Sequence, residues 1–353
     1  MVSPVHYLPG TSAIGSRGVL SELLLRVLTG GPDRTGLSEL PSAARAALTG
    51  VDDILHDDDI QVSLLVLYGL HYGSLPGFGD EWEWQPELVE TRGILEKAFE
   101  SRLRELVVTP PLPEPTQDAV ARTLFALTAP TPGPSLSRYV AKSATLEQLR
   151  EFLILRSIYT LREADPHSWA IPRLTGRAKT ALVEIQFDEY GSGVPERMHA
   201  GIFAKTMRGL GLDDTYGAYV DVVPAITLAS QNMMSFFGLN RRLRGAIAGH
   251  LAAFEMTSSL PNRSYGDGFR RLGFAEDVTD YFDEHVEADA VHEQIAACDL
   301  AGALVEDEPD LLESVLFGAA ACLTIDDLVA EHIDSAWQHH RSALRDPERR
   351  IHA

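Results

Sequence analysis

His285, Asp289 and His292 recur at intervals of four and three residues in Tyr281-Phe282-Asp283-Glu284-His285-Val286-Glu287-Ala288-Asp289-Ala290-Val291-His292. On an α-helix, at ~100° per residue, the three fall within about 60° of one another. Tyr281, Phe282, Ala288, Ala296 and Leu300 share that side, whereas Asp283, Glu284, Glu287, Glu293 and Gln294 lie outside it. Two imidazoles and one carboxylate therefore sit on the stripe that should face a core. Buried polar groups need partners, and a metal ion suits His, Asp and His together. The competing explanation is a solvated acidic helix with two incidental histidines.

The same face test picks out carboxylates on neighbouring helical patterns. Glu255 aligns with Ala248, Leu251 and Ala252, and Glu189 with Leu182 and Ile185, while Glu184 and Asp188 point elsewhere. His199 shares a side with Ile202, Phe203 and Leu210, and Glu163 lies near the line of Phe152 and Tyr159. Carboxylates and imidazoles projected from facing helices suit a di-iron or di-manganese centre. Gly191-Ser192-Gly193-Val194-Pro195 must break the helix between Glu189 and His199, which frees both to point at one site. Glu196 and His199 also form Glu-x-x-His, a spacing used in ferritin-like bundles, but no convincing second copy exists. Pro195 before it marks a helix start, so Glu196 reads better as a cap or an outer partner.

These elements belong to a chain of 353 residues with 45% hydrophobic content, long enough for a sizeable core. A net charge of −21 argues against nucleic acid and against an anionic membrane surface. No run of about 18 apolar residues suggests a membrane span, and no secretion signal is visible. Two cysteines, Cys298 and Cys322, without a C-x-x-C motif, fit a reducing, cytoplasmic location. Met1–Ser16 reads as an irregular arm. Helices are expected over Ser21–Thr29, Leu40–Leu48, Ile60–His71, Glu87–Leu106, Leu146–Glu163, Arg177–Tyr190, Pro195–Leu210, Tyr216–Met234, Arg241–Ser258, Val278–Leu304 and Pro309–Gln338. The Pro-rich passages Thr109–Pro115 and Ala129–Pro134 are the best linker candidates. His56 with Asp57–Asp59 reads as a solvated turn, and His71 as a core or loop residue.

The ordered pattern resembles the heme-oxygenase-like di-iron oxidases, or iron-containing redox enzymes. It rests on Glu184-Ile185-Gln186-Phe187-Asp188-Glu189-Tyr190-Gly191-Ser192-Gly193, His199, Phe254-Glu255, Pro261-Asn262-Arg263, and His285-x-x-x-Asp289-x-x-His292. The resemblance covers roughly Thr145 to Gln338. It implies an all-α fold, a heme-oxygenase-like up-and-down helical bundle over 136–345, preceded by a helical N-terminal extension over 1–135. It makes Glu189, His199, Glu255, His285, Asp289 and His292 the ligands of two iron ions (Fe2+/Fe3+), with Glu163 as a further carboxylate. Heme is not implied.

Such enzymes use O2 as co-substrate, and the resemblance implies a peroxo-di-iron(III) intermediate and an external electron donor. A retained Glu163 favours oxygen insertion. The leading expectation is therefore N-oxygenation of a small amine or amino acid in specialised metabolism. The runner-up is desaturation, decarboxylation or carbon–carbon fragmentation of an amino-acid-like or fatty-acid substrate. A metal-free helical binding protein or a non-redox hydrolase is the alternative of another class. Arg263, Arg270 and Arg271 are candidates for pairing a substrate carboxylate, though helix-end arginines are common. Tyr159, Phe203 and Phe254 are candidate pocket residues. A homodimer is compatible with the chain but not specified by it.

Overall fold

The computed structural model describes residues 14–30, 35–130 and 135–345, and among them every regular element is helical. Most of the Met1–Ser16 arm and the last four residues of Ala129–Pro134 lie outside the described residues. The first helices are α1 (Val19–Thr29), α2 (Leu40–Ala47), α3 (Asp58–Tyr72), α4 (Pro86–Leu106) and α5 (Gln117–Leu127). They do not close a core of their own. One continuous apolar cluster runs from Leu20 through Phe99 and Phe236 to Ile325, and α3 packs against a helix of the second half. None of the described helices is long and apolar enough to cross a membrane.

The acidic run beside His56 is structural. Asp57 caps α3 by accepting from the Ile60 amide at 2.8 Å. Asp58 pairs with Arg17 at 2.8 Å and Arg345 at 2.6 Å, and Asp59 accepts from the Leu20 and Ser21 amides. The run thus ties both ends of the chain to the start of one helix. His71 is enclosed by Arg92, Glu83 and the Trp84 ring.

The second half contains α6 (Leu136–Lys142), α7 (Leu146–Thr160), α8 (Asp165–Ser168), α9 (Gly176–Glu189), α10 (His199–Gly209), α11 (Ala225–Leu239) and α12 (Arg244–Arg271). It ends with α13 (Glu276–Gln294), α14 (Ala303–Asp307) and α15 (Leu312–Gln338). A capping box starts α7: the Gln148 amide donates to Thr145 Oγ1 at 3.2 Å, and the Thr145 amide donates to Gln148 Oε1 at 2.9 Å. The helix expected from Tyr216 instead begins after Pro224, whose extended backbone resists helical continuation from its N-terminal side.

Two other boundaries differ from expectation. Pro261 does not end α12, which continues to Arg271. Proline removes one donor from the helix, and the hydroxyls of Thr257 and Ser258 bond carbonyls of the same turn, Ala253 at 2.7 Å and Glu255 at 3.2 Å. The single helix expected over Val278–Leu304 is interrupted by a π-helical stretch, Ile295–Gly302, directly after His292.

Helix α12 is the centre of the bundle and packs on α13 and α15. It meets α15 backbone to backbone. A Cβ on Gly249 would stand 1.8 Å from the Val315 carbonyl oxygen, and one on Gly318 would stand 1.9 Å from that of Ala246. Only glycine permits that approach, so these two positions fix where α12 and its Glu255 lie.

Candidate metal centre

Six of the expected ligands are positioned by different local devices. Glu163 follows α7 in a turn. Glu189 closes α9, and His199 opens α10. Between them the chain reverses through Gly191 at φ 78° and Ser192 at φ 53°. A Cβ at Gly191 would stand 2.6 Å from the Met198 amide nitrogen, so glycine is required for the reversal. Glu255 lies in the middle of α12, and His285 and His292 lie two turns apart on α13.

All six described side chains are buried, and they form two donor groups. Glu163, Glu189, His199 and His285 each bring one donor atom within 4.8 Å of the others, as do Glu189, Glu255 and His292. Glu189 belongs to both groups. Asp289 lies on α13 between the two histidines, and its side chain lies outside the described residues. Glu196 is exposed in the turn Pro195–Arg197 and joins neither group, so the Glu-x-x-His alternative is not realised.

The imidazoles are oriented from behind. His285 Nδ1–H donates to the Tyr281 carbonyl at 2.7 Å, which directs Nε2 toward Glu163 at 3.6 Å. His292 Nε2–H donates to Asp188 Oδ2 at 3.2 Å, which leaves Nδ1 facing Glu255 at 3.4 Å and Glu189 at 3.8 Å. His199 Nδ1 stands 3.0 Å from Glu189 Oε2, off the line a hydrogen bond needs. His199 Nδ1 and His292 Nδ1 are therefore buried ring nitrogens aimed at carboxylates without a hydrogen-bond partner. A metal ion would supply the missing partner for both, and the donor set suits iron.

The electrostatics fit the same arrangement. Burial raises the Glu189 carboxyl, reinforced by Glu255 and Glu163 and opposed by His199. Burial also acts to raise Glu163, but His285, His199 and the Tyr281 hydroxyl outweigh it and hold that carboxyl below its ordinary value. Burial would lower His292, yet Glu255, Glu189 and Asp188 prevail and hold it at about 9. In the metal-free protein these carboxylates are thus compensated by protonated imidazole, a proton that metal binding would displace.

Several contributors escaped the sequence reading. Asp188 does not point away from the site; it is the outer partner of His292, and Ser192 Oγ donates to its other oxygen at 2.8 Å. It lies about 100° from Glu189 on a wheel, yet the last turn of α9 lets it reach α13. Tyr281, which the wheel places simply on the apolar stripe, donates to both oxygens of Glu163, at 2.9 and 3.1 Å. A second buried imidazole pair, His167 and His250, meets at 3.2 Å, with His250 stacked on Phe254, and burial holds His167 at about 4. His250 lies about 140° round α12 from Glu255, so no stripe reveals it. Of the named arginines, Arg263 is exposed, Arg270 pairs with Asp283, and Arg271 donates to the carbonyls of Val140, Ala141 and Ala144. Phe203 is fully buried against Tyr281, whereas Tyr159 and Phe254 pack edge to face at 5.2 Å and keep accessible surface.

The all-α bundle buries a cluster of glutamates and histidines around one shared carboxylate, a donor set of the kind that holds metal ions in helical bundles. Residues 150–327, half of the chain, match the family described as iron-containing redox enzyme, and the chain belongs to that family, with its heme-oxygenase-like fold. It is similar to nitrosourea synthase from Streptomyces achromogenes subsp. streptozoticus, at 28% identity over 151 residues, which is 42% of this chain and 32% of that protein. The matched segment thus spans about a third of the length of this relative.

Proposed function

We propose that the chain is a non-heme di-iron oxygenase that uses O2 to oxidise the nitrogen of a small amine or amino acid in specialised metabolism. The observation that carries this reading is the sharing of Glu189 between two donor groups, each completed by a buried imidazole with an orphaned nitrogen. One carboxylate serving two groups is the arrangement expected for a pair of metals rather than one. Nitrogen oxidation is supported by the similarity to a nitrosourea synthase, whose name denotes formation of an N-nitroso compound. Two unpaired cysteines fit a reducing cytosol, where an external donor would return electrons to the site.

Glu163, Glu189, His199 and His285 would hold one iron, and Glu189, Glu255 and His292 the other, with Asp289 on the same helix. Bound iron would supply the electrons and Lewis acidity for O2 reduction. The protein contributes fixed geometry. Tyr281 sets one imidazole through its carbonyl and Glu163 through its hydroxyl. Asp188 sets His292 from the solvent side. The buried ring of Tyr281 packs on His285, backed by the buried ring of Phe203.

The test is anaerobic loading with Fe(II), iron counting per chain, and mixing with O2 in the presence of amines and amino acids. Two irons per chain and a nitrogen-oxidised product are expected. Less than one iron per chain in the wild type, or oxidation only at carbon, would overturn the reading.

A further inference from the structure

Tyr281 stands on α13 one turn before His285, and its side chain is fully buried. Its hydroxyl donates to Glu163 Oε1 at 2.9 Å and to Oε2 at 3.1 Å. Its ring centre lies 4.3 Å from that of His285. One phenol therefore touches two members of the donor group formed by Glu163, Glu189, His199 and His285. Holding Glu163 in place needs only a hydrogen-bond donor, which an asparagine, a serine or a main-chain amide also supplies. A phenol differs from those donors in one chemical respect. It gives up an electron readily when its proton leaves at the same time.

The surroundings meet the conditions for that paired loss. In a buried site a phenol cannot lose the electron alone, because the cation left behind would be unsolvated. The proton needs a base within hydrogen-bond reach, and Glu163 offers both oxygens at that distance. The electron needs an acceptor close by, and a single carboxylate or a single imidazole separates the phenol from the metal position. The ring is also insulated. Phe203 and Phe282 pack on it with centres at 5.0 and 5.4 Å, both fully buried, and a phenoxyl group oxidises neither. Tyr68 is an internal comparison. It too is buried and donates to a buried carboxylate, Glu96, at 3.1 Å. Glu96, however, pairs with Arg92 at 3.3 Å and belongs to neither donor group.

We propose that Tyr281 is a redox-active tyrosine that gives one electron to the iron of its donor group once O2 has oxidised that iron. The O–H bond of the phenol breaks. The electron lowers the oxidation state of the iron by one, the proton passes to the Glu163 carboxylate, and a neutral tyrosyl radical remains. His285 Nε2 faces Glu163 Oε1 at 3.6 Å, which assigns Oε1 to the metal side and Oε2 to the proton. When no substrate is bound, the oxidising equivalent is thereby stored on a ring that the external electron donor can reduce again, and the iron ligands are spared. This role rests on the proposed function, because it needs iron and O2 at the site.

The full chain is loaded anaerobically with Fe(II), its iron is counted, and it is mixed with O2 in the absence of substrate. Samples frozen at intervals are read by electron paramagnetic resonance. The wild type is expected to give a tyrosyl signal whose hyperfine splitting collapses when the protein is made with ring-deuterated tyrosine. Tyr281→Phe should bind as much iron and lose the signal, whereas Tyr68→Phe should keep it. If Tyr281→Phe does not fold or loses iron, a ring-fluorinated tyrosine at position 281 preserves the ring and hydroxyl, and fluorine splitting should then appear in the signal. The proposal is overturned if iron-loaded wild type consumes O2 without a tyrosyl signal, since Tyr281 would then only hold Glu163. It is also overturned if the signal survives in Tyr281→Phe or shows no fluorine splitting in the fluorinated protein. Iron counting separates the two readings. Two irons that react with O2 and leave no radical overturn this proposal alone, and less than one iron per chain overturns the di-iron reading with it.

Discussion

Replacing Asp188 by Asn separates the orientation of a ligand from the stability of the fold. Asp188 touches the centre only through His292 Nε2, at 3.2 Å, and its side chain is 47% exposed. Exposed charges contribute little to stability, so the thermal midpoint of the metal-free protein should be almost unchanged. The His292 ring, however, loses the charge that fixes its orientation and raises its basicity. Outer carboxylates of this kind change metal affinity by about 10- to 100-fold, or ~1.4–2.8 kcal/mol. The loss should fall on the site formed by Glu255 and His292, because the His199–His285 side has no contact with Asp188. Anaerobic Fe(II) titration against a competing chelator resolves the two sites. Ser192→Ala, which removes only the hydroxyl on the other Asp188 oxygen, should cost less than about tenfold. Equal weakening of both sites, or of neither, would refute the view that Asp188 acts through His292.

The raised His292 value gives a pH dependence with a definite sign. The folded value of about 9 exceeds the unfolded ~6.5, so its stabilisation of the metal-free protein is full below ~6.5 and is lost as pH rises through 9. The difference is worth up to ~3 kcal/mol, and denaturant midpoints between pH 6.5 and 9.5 should flatten in His292→Asn. A second pair of variants tests the helix crossing. Gly249→Ala, whose Cβ would meet a backbone oxygen, should lose ~1–3 kcal/mol or more, whereas Gly93→Ala, in open space within α4, should gain up to ~1 kcal/mol. A thermal midpoint that rises for Gly249→Ala would refute the close approach.

The helical class and the burial of a histidine–glutamate cluster were legible because both rest on periodicity. Glu189, Glu255, His285 and His292 each fall on an apolar stripe, and burying charge on such a stripe demands a reason. The glycine-rich break before His199 was legible for the same kind of reason, since that composition excludes a continuous helix. What periodicity could not show was reach between elements. Asp188 lies off its stripe and meets His292 only because α9 ends where α13 passes. The continuation of α12 through Pro261 and the π-helical stretch after His292 depend on packing and hydroxyl contacts, which no local propensity records.

The glycine crossing between α12 and α15 also acts as a ruler. Glu255 stands six residues beyond Gly249, and Asp326 eight residues beyond Gly318, about 9 and 12 Å along their own axes. Both carboxylates are therefore referred to one backbone contact that no rotamer can adjust. The depth at which α12 presents Glu255 to the cluster is set in main chain. A change in that depth would have to begin at the crossing or in the helix segment leading from it, and side-chain substitutions around the cluster would tune its shape without moving it.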